Sequence, residues 1–307
     1  MSYYTSYTPN QHTPTKKKRH FKRYFALLLI LIIVVGGSLF ALHSSKSTNA
    51  NSVSSKKIAT TTAVKQKSNV REPDLTSLAS QVNSIINTNS NIEFSVTTVD
   101  LNSGLSEHYG DNASYDAASI GKLVTATTLL HEVQAGQVSL SQTLDDGNTV
   151  QYDLQQMIVI SDDNTWATLN DFLTHPVMQA YADNIIGMTG YDADNNTMKN
   201  TDVATLLQKL WNGQLLNTQY TKLLLSYMKI ANYRGYMLPA IPASYTTYHK
   251  VGLDEDNVHD VAIITKGGRD IILAIFTNGN GTYDWPNRAA IMQQIAKIVL
   301  NAYFVTP

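Results

Sequence analysis

The last quarter of the chain changes hydrophobic period. Residues 245–252, 258–266 and 270–278 have the composition and spacing of strands, and Asp254 to Asn257 and Gly267-Gly268 separate them with turn-forming residues. Breaks this short return a chain antiparallel to itself, so three successive antiparallel strands are expected. The pattern occurs once more, earlier, where 92–100 and 106–109 read as strands around a turn at Asn102-Ser103-Gly104.

What lies before, between and after reads as helix and loop. Leu75, Leu78, Val82, Ile85 and Ile86 repeat at helical spacing after Asp74, and Leu123, Val124, Leu129, Leu130 and Val133 carry a helix to Gly136. Helices are expected again over 150–160, through Trp166, Leu169 and Phe172 to His175-Pro176, over 202–212 behind a Thr201-Asp202 cap, and over 218–229. Residues 189–200, thick with Gly, Asp and Asn, are expected to form a loop, and Pro286 opens a last amphipathic helix through Ile291, Ile295, Val299 and Tyr303. The fold class is therefore α+β: an antiparallel sheet formed by both ends of the domain, flanked by helices, with an inserted all-helical subdomain.

Charge divides the chain at the same place as hydropathy. All 24 Asp and Glu residues lie after residue 71, whereas 12 of the 23 Lys and Arg residues lie before residue 72. An acidic body argues against nucleic acid as a partner. Lys16 to Arg19, Lys22 and Arg23 abut 25–42, eighteen residues without a charge, so this basic block reads as the cytoplasmic flank of a membrane span. At ~1.5 Å per residue the span would reach roughly 27 Å, enough for a bilayer core of about 30 Å. The expected organisation is a cytoplasmic basic tail (1–24), a transmembrane signal anchor (25–42), a flexible Ser/Thr/Lys linker (43–73) and a folded extracellular domain (74–307). The competing reading, a cleaved signal peptide, finds only Ser45-Lys46-Ser47 as a poor small-x-small site. With no cysteine, a lipid anchor, disulfides and thiolate chemistry are excluded.

Ser119 and Lys122 are three residues apart on a helix, which puts amine and hydroxyl on one face. A serine becomes a nucleophile when a neighbouring base takes its proton, and a lysine serves only if its pKa is lowered. Ser54 and Lys57, and Ser226 and Lys229, have the same spacing, but the first pair lies in the linker and the second serine lies mid-helix. Ser119 alone follows small residues, Ala117 and Ala118, and precedes an apolar helix.

Two further motifs follow in order: Ser161-Asp162-Asp163-Asn164 at a helix end and Lys250-Val251-Gly252 in a strand. With Ser119-x-x-Lys122 they resemble the serine β-lactamase and penicillin-binding protein superfamily, most closely its class A β-lactamase-like branch. The resemblance covers roughly 74–307. It implies Ser119 as acylated nucleophile, Lys122 as its base, Ser161 as a hydroxyl relay to the leaving group, and Lys250 as a second positive charge that lowers the pKa of Lys122. It also implies an oxyanion site between the N–H groups of Ser119 and Leu253, with Gly252 beside the substrate, and no cofactor or metal.

The departures are informative. An extra acidic residue in the second motif leaves two registers open, with Asp163 or Asn164 in the amide position. Val251 replaces the usual hydroxyl residue, and no glutamate occurs between Glu132 and Glu255 to activate a deacylating water. Asp192 or Asp194 could stand in. His249, His131, Glu132, His259 and Asp260 lack a spaced ligand cluster and are read as structural, Asp254 to Asp256 as a solvated hairpin tip, and Trp166, Trp211 and Trp285 as packing. The expected activity is that of a serine hydrolase or acyltransferase acting on a peptidoglycan-type peptide or a β-lactam-like acyl compound, with slow deacylation. The alternative is a degenerate domain that binds a cell-wall or envelope partner.

Overall fold

The computed structural model describes residues 72–304. The expected tail, anchor and linker, up to residue 71, lie outside the described residues, and no helix among the described residues is long and apolar enough to cross a membrane.

Helix α1 (Leu75–Thr88) starts at Asp74, whose carboxylate accepts from the Ser77 N–H at 3.0 Å and so satisfies one of the free donors of the first turn. Strands β1 (Glu93–Asp100) and β2 (Ser106–Gly110) form the first hairpin, and β3 (Ser114–Asp116) leads into a 3-10 turn at Ala118–Ile120 and helix α2 (Lys122–Gln134). The subdomain then runs through α3 (Val150–Val159), α4 (Asp163–Leu173), α5 (His175–Tyr181), strand β4 (Thr197–Lys199), α6 (Asn200–Trp211) and α7 (Thr218–Lys229). Strands β5 (Thr246–Asp254), β6 (Asn257–Lys266) and β7 (Arg269–Asn278) form the meander, and α8 (Trp285–Phe304) closes the chain.

The two ends meet in the middle of one antiparallel sheet of order β2-β1-β7-β6-β5, where Val96 lies opposite Ile275. Strand β7 is central because both its faces are apolar. Ile271, Leu273 and Ile275 join Leu78, Val82, Ile295 and Val299 beneath α1 and α8, while Ile272, Ala274 and Phe276 face the helical subdomain. Each fully buried Ile or Leu contributes about 1.5–3 kcal/mol, which makes this two-sided strand the main tie between the layers. Strand β5 is left at the edge, beside the turn that carries Ser119.

Three expectations need correction. Pro176 does not stop a helix; it lies in the first turn of α5, where its missing N–H has no intrahelical partner to lose. Residues 189–200 are not loop throughout, because Thr197–Lys199 pairs with Ser114–Asp116, a strand too short to leave a period in the sequence. Helix α6 starts at Asn200, so Asp202 lies inside its first turn. There its carboxylate accepts from the N–H groups of Lys199, Thr189 and Gly190 and ties the loop to the helix.

Candidate active site

The turn that presents Ser119 is held from behind. Asp116 caps it by accepting from the Ala118 N–H at 2.8 Å, and its carbonyl accepts from Nε2 of His259 at 2.7 Å. Nδ1 of His259 accepts from the Thr277 N–H at 3.2 Å, so both hydrogen bonds assign the neutral Nε2–H tautomer. The ring is fully buried and stacks on Phe276 with centroids 4.1 Å apart; burial pushes its pKa down to about 4. Ala118 has φ +47° and Ser161 φ +60°, a left-handed conformation that side chains disfavour by about 1–2 kcal/mol and that persists only where packing imposes it.

Lys122 lies one turn after Ser119 on a helix buried almost all round, and none of its side chain is exposed. Its Nζ is 2.8 Å from Ser119 Oγ, 2.8 Å from the Ser161 carbonyl, 3.2 Å from Ser161 Oγ and 2.5 Å from Asp163 Oδ1. Lys250, buried on β5, reaches the same hydroxyl: its Nζ is 2.7 Å from Ser161 Oγ and 2.9 Å from the Val251 carbonyl. The structure thus joins Ser119, Lys122, Ser161 and Lys250 into one chain of hydrogen bonds.

Burial dominates the electrostatics of the two lysines. Burial is the main cause that lowers the Lys122 pKa, and Asp163 opposes it by favouring the ammonium. Burial first and the nearby Lys122 second hold Lys250 well below the ordinary lysine range. A charge on either buried amine disfavours one on the other, so Lys250 and Lys122 bias each other toward the neutral form.

In the second motif it is Asp163 that contacts Lys122. Asp162 caps α4 by accepting from the Thr165 N–H at 2.8 Å, which turns Asp163 toward Lys122 and leaves Asn164 on the exposed face of the first turn. The Asp163 side chain is 82% exposed although one oxygen is bound to a fully buried lysine, so its other oxygen faces open space. Trp166, one turn further on, covers Lys122 with its ring centroid 4.9 Å from Nζ, and its Nε1–H donates to Thr125 on α2 at 2.9 Å.

Gly252 packs directly on the Ser119 turn: a Cβ there would lie 2.9 Å from the Ala117 carbonyl oxygen and 2.9 Å from Ile120 Cγ1. Val251 presents its carbonyl to Lys250, and Leu253, two residues along the edge strand, has the same backbone orientation beside that turn. The structure does not bring Asp194 to this group. Its carboxylate is bound to His175 Nδ1 at 2.9 Å in an exposed pair, and Asp192 is engaged in its own turn by the N–H groups of Asp194 and Asn195. Asn196 makes the approach instead: its Nδ2 donates to the Ala118 carbonyl at 3.0 Å, its carbonyl accepts from the Ala117 N–H at 2.8 Å, and a Cβ on Gly121 would overlap its Oδ1.

Trp166 packs and His259 is structural, as expected, and Asn196 is the contributor that sequence reasoning missed. Asn196 is one of several Asn and Asp residues in a row, and its φ of +50° leaves no trace in the sequence beyond the residue type. His249 packs as expected, with Nε2 beside the Ala231 carbonyl at 3.3 Å. Asp256 is more than a solvated tip, because its carbonyl accepts from Arg288 of α8 and its carboxylate accepts from the Gly281 N–H.

Comparison with known proteins adds the family. Residues 77–303 match the beta-lactamase enzyme family. No curated protein matches the chain. Among solved structures, a PBP-A mutant in acyl-enzyme complex with penicillin G is 21% identical with a TM-score of 0.69, over 75% of this chain and 97% of the other. An ancestral class A β-lactamase is 18% identical with a TM-score of 0.67, over 74% and 100%. A β-lactamase from Xanthomonas campestris is 21% identical with a TM-score of 0.67, over 73% and 97%. At these identities the likeness is one of fold.

Proposed function

The chain belongs to the beta-lactamase enzyme family of serine hydrolases, and from that premise we propose that it is a membrane-anchored extracytoplasmic enzyme that forms an acyl-enzyme on Ser119. The observation that carries this reading is the 2.8 Å contact between Lys122 Nζ and Ser119 Oγ, continued through Ser161 Oγ to Lys250. In its neutral form Lys122 takes the Ser119 proton as Oγ attacks the acyl carbon. The bond from that carbon to the leaving nitrogen then breaks, and the nitrogen takes a proton from Ser161 Oγ–H, which the lysines replace. The N–H groups of Ser119 and Leu253 would receive the developing oxyanion, at ~3 kcal/mol per donor.

Slow deacylation follows from the loop beside Ser119, which offers the amide of Asn196 where hydrolysis of the ester needs a base, while Asp192 and Asp194 are held in other contacts. Substrates are peptidoglycan-type peptides or β-lactam-like acyl compounds, and the 43–73 linker holds the domain outside the membrane. One observation favours the second reading, a non-catalytic binder of an envelope partner: the 2.5 Å contact of Asp163 with Lys122 favours the charged, non-basic form of that lysine.

Intact-mass measurement on the full chain in detergent, incubated with penicillin G, separates the two. A stable adduct that vanishes in Ser119→Ala supports acylation with slow release, rapid turnover refutes the deacylation reading, and no adduct with any activated acyl compound leaves the binder. Protease added outside intact cells should release the domain by cutting within 43–73; resistance there would refute the placement.

A further inference from the structure

Asp163 puts a carboxylate where it can act on the substrate itself. One oxygen is bound to Lys122, which in turn contacts the nucleophile, so the group lies within a few ångströms of any acyl compound on Ser119. Its second oxygen has no hydrogen-bond partner among the described residues, and 82% of the side chain is exposed. A carboxylate can only accept hydrogen bonds. A carbonyl set against it would leave two acceptors facing each other, whereas an N–H donor, above all an ammonium, would be held by charge as well.

The surroundings point the same way. The two lysines nearby are both buried, so the charge that the open side of the site presents at this position is negative. From residue 74 onward the chain carries 11 basic against 23 acidic residues, a balance that favours the approach of cations.

We propose that the site selects acyl donors carrying a cationic amine on the acyl side of the scissile bond, and that Asp163 is the residue that receives it. This rests on the acyl-enzyme reading above and names its substrate class. An ammonium on the free oxygen also draws charge away from the oxygen that holds Lys122, so a matching substrate weakens the contact that favours the protonated lysine. Selectivity should then be expressed in the rate of acylation as well as in binding.

Ampicillin and penicillin G are a matched pair, since the first differs only by an α-amino group on the acyl side chain. Acylation rates of the full chain would be measured by intact mass at about pH 6.5, where an α-ammonium stays protonated. The expected result is faster acylation by ampicillin, by up to roughly fivefold for a partly exposed ion pair, falling to near equality in Asp163→Asn and returning in part in Asp163→Glu. A structural role for Asp163 would change both rates together and leave their ratio alone. Adducts that form at equal rates in the unsubstituted chain, or a preference that survives in Asp163→Asn, would overturn this inference and leave the acylation reading standing. Absence of adduct from both compounds would overturn both.

Discussion

Replacing Gly252 with alanine tests whether the edge strand and the Ser119 turn are packed as tightly as the geometry requires. The added Cβ would meet the Ala117 carbonyl oxygen at 2.9 Å, Ile120 Cγ1 at 2.9 Å and the Ile120 nitrogen at 3.2 Å. Carbon contacts settle at about 3.5–4.0 Å, so two neighbours are too close by about 0.6 Å at once. Neither can swing aside. The Ala117 carbonyl already accepts from the Ile120 N–H at 2.9 Å, Ile120 is fully buried, and β5 is held in register by β6. The turn must therefore move off the strand, at a cost of ~1–3 kcal/mol for an overpacked site. It carries Ser119 with it, away from Lys250 and Leu253. Misplacing a reacting group by about 1 Å costs ~10²-fold in rate, so a shift of roughly half that should slow acylation on the order of tenfold. Urea denaturation would read the first effect as a lower midpoint with unchanged slope, and intact mass against time would read the second. Gly235→Ala is the control: a Cβ there meets nothing within 4 Å, and stability should change by no more than about 0.5 kcal/mol. If Gly252→Ala matched that control in stability and acylated at the unsubstituted rate, the packing argument would be wrong.

Other sites give separate tests. The His259 pKa is about 4 in the fold against 6.5 unfolded, so between those values the unfolded chain binds the extra proton and stability rises with pH. The full effect is about 3 kcal/mol, present above about pH 6.5 and lost as pH falls through about 4; in His259→Gln, the unfolding free energies from urea titrations at about pH 7.5 and 4.5 should differ by about 2.5 kcal/mol less than in the unsubstituted chain. Asn196→Ala removes the hydrogen bond to the Ala118 carbonyl and puts an alanine at φ +50°, so a loss of ~1–3 kcal/mol is expected by thermal unfolding, and no loss would refute the anchoring role. Ser161→Ala cuts the only hydroxyl shared by the two lysines and should slow acylation ~10²-fold or more at unchanged fold, as judged by circular dichroism; an unchanged rate would remove Ser161 from the relay.

How far the sequence discloses this molecule depends on how far apart the cooperating residues lie. The meander of β5, β6 and β7 and the hairpin of β1 and β2 were legible because each strand pairs with a neighbour across a short turn whose residues announce it. The pairing of β3 with β4 was not, because Tyr115 meets Met198 across a long stretch of chain and each strand has three residues. The site divides likewise. Ser119 and Lys122 share one helical face and could be read as a pair; Asp163 or Asn164 could not be chosen, because the choice depends on Asp162 capping α4 and turning its neighbour inward. Asn196 was invisible for the same reason, since its partner is a backbone carbonyl 78 residues earlier.

The proton inventory of the site follows from these contacts. Asp163 favours a proton on Lys122, burial disfavours one on either lysine, and the like charge means that a proton on one amine disfavours a proton on the other. A serine hydroxyl has one proton and two lone pairs, and Ser161 Oγ lies between the two amines, 3.2 Å from one and 2.7 Å from the other. It can accept a proton from Lys122 while giving its own to Lys250, which leaves Lys122 neutral beside Ser119 with no exchange with solvent. Any ligand that neutralises Asp163 pushes the equilibrium the same way. Asp163 then acts as a control on the nucleophile, because its contact favours the protonated Lys122 until a substrate of matching charge engages the carboxylate.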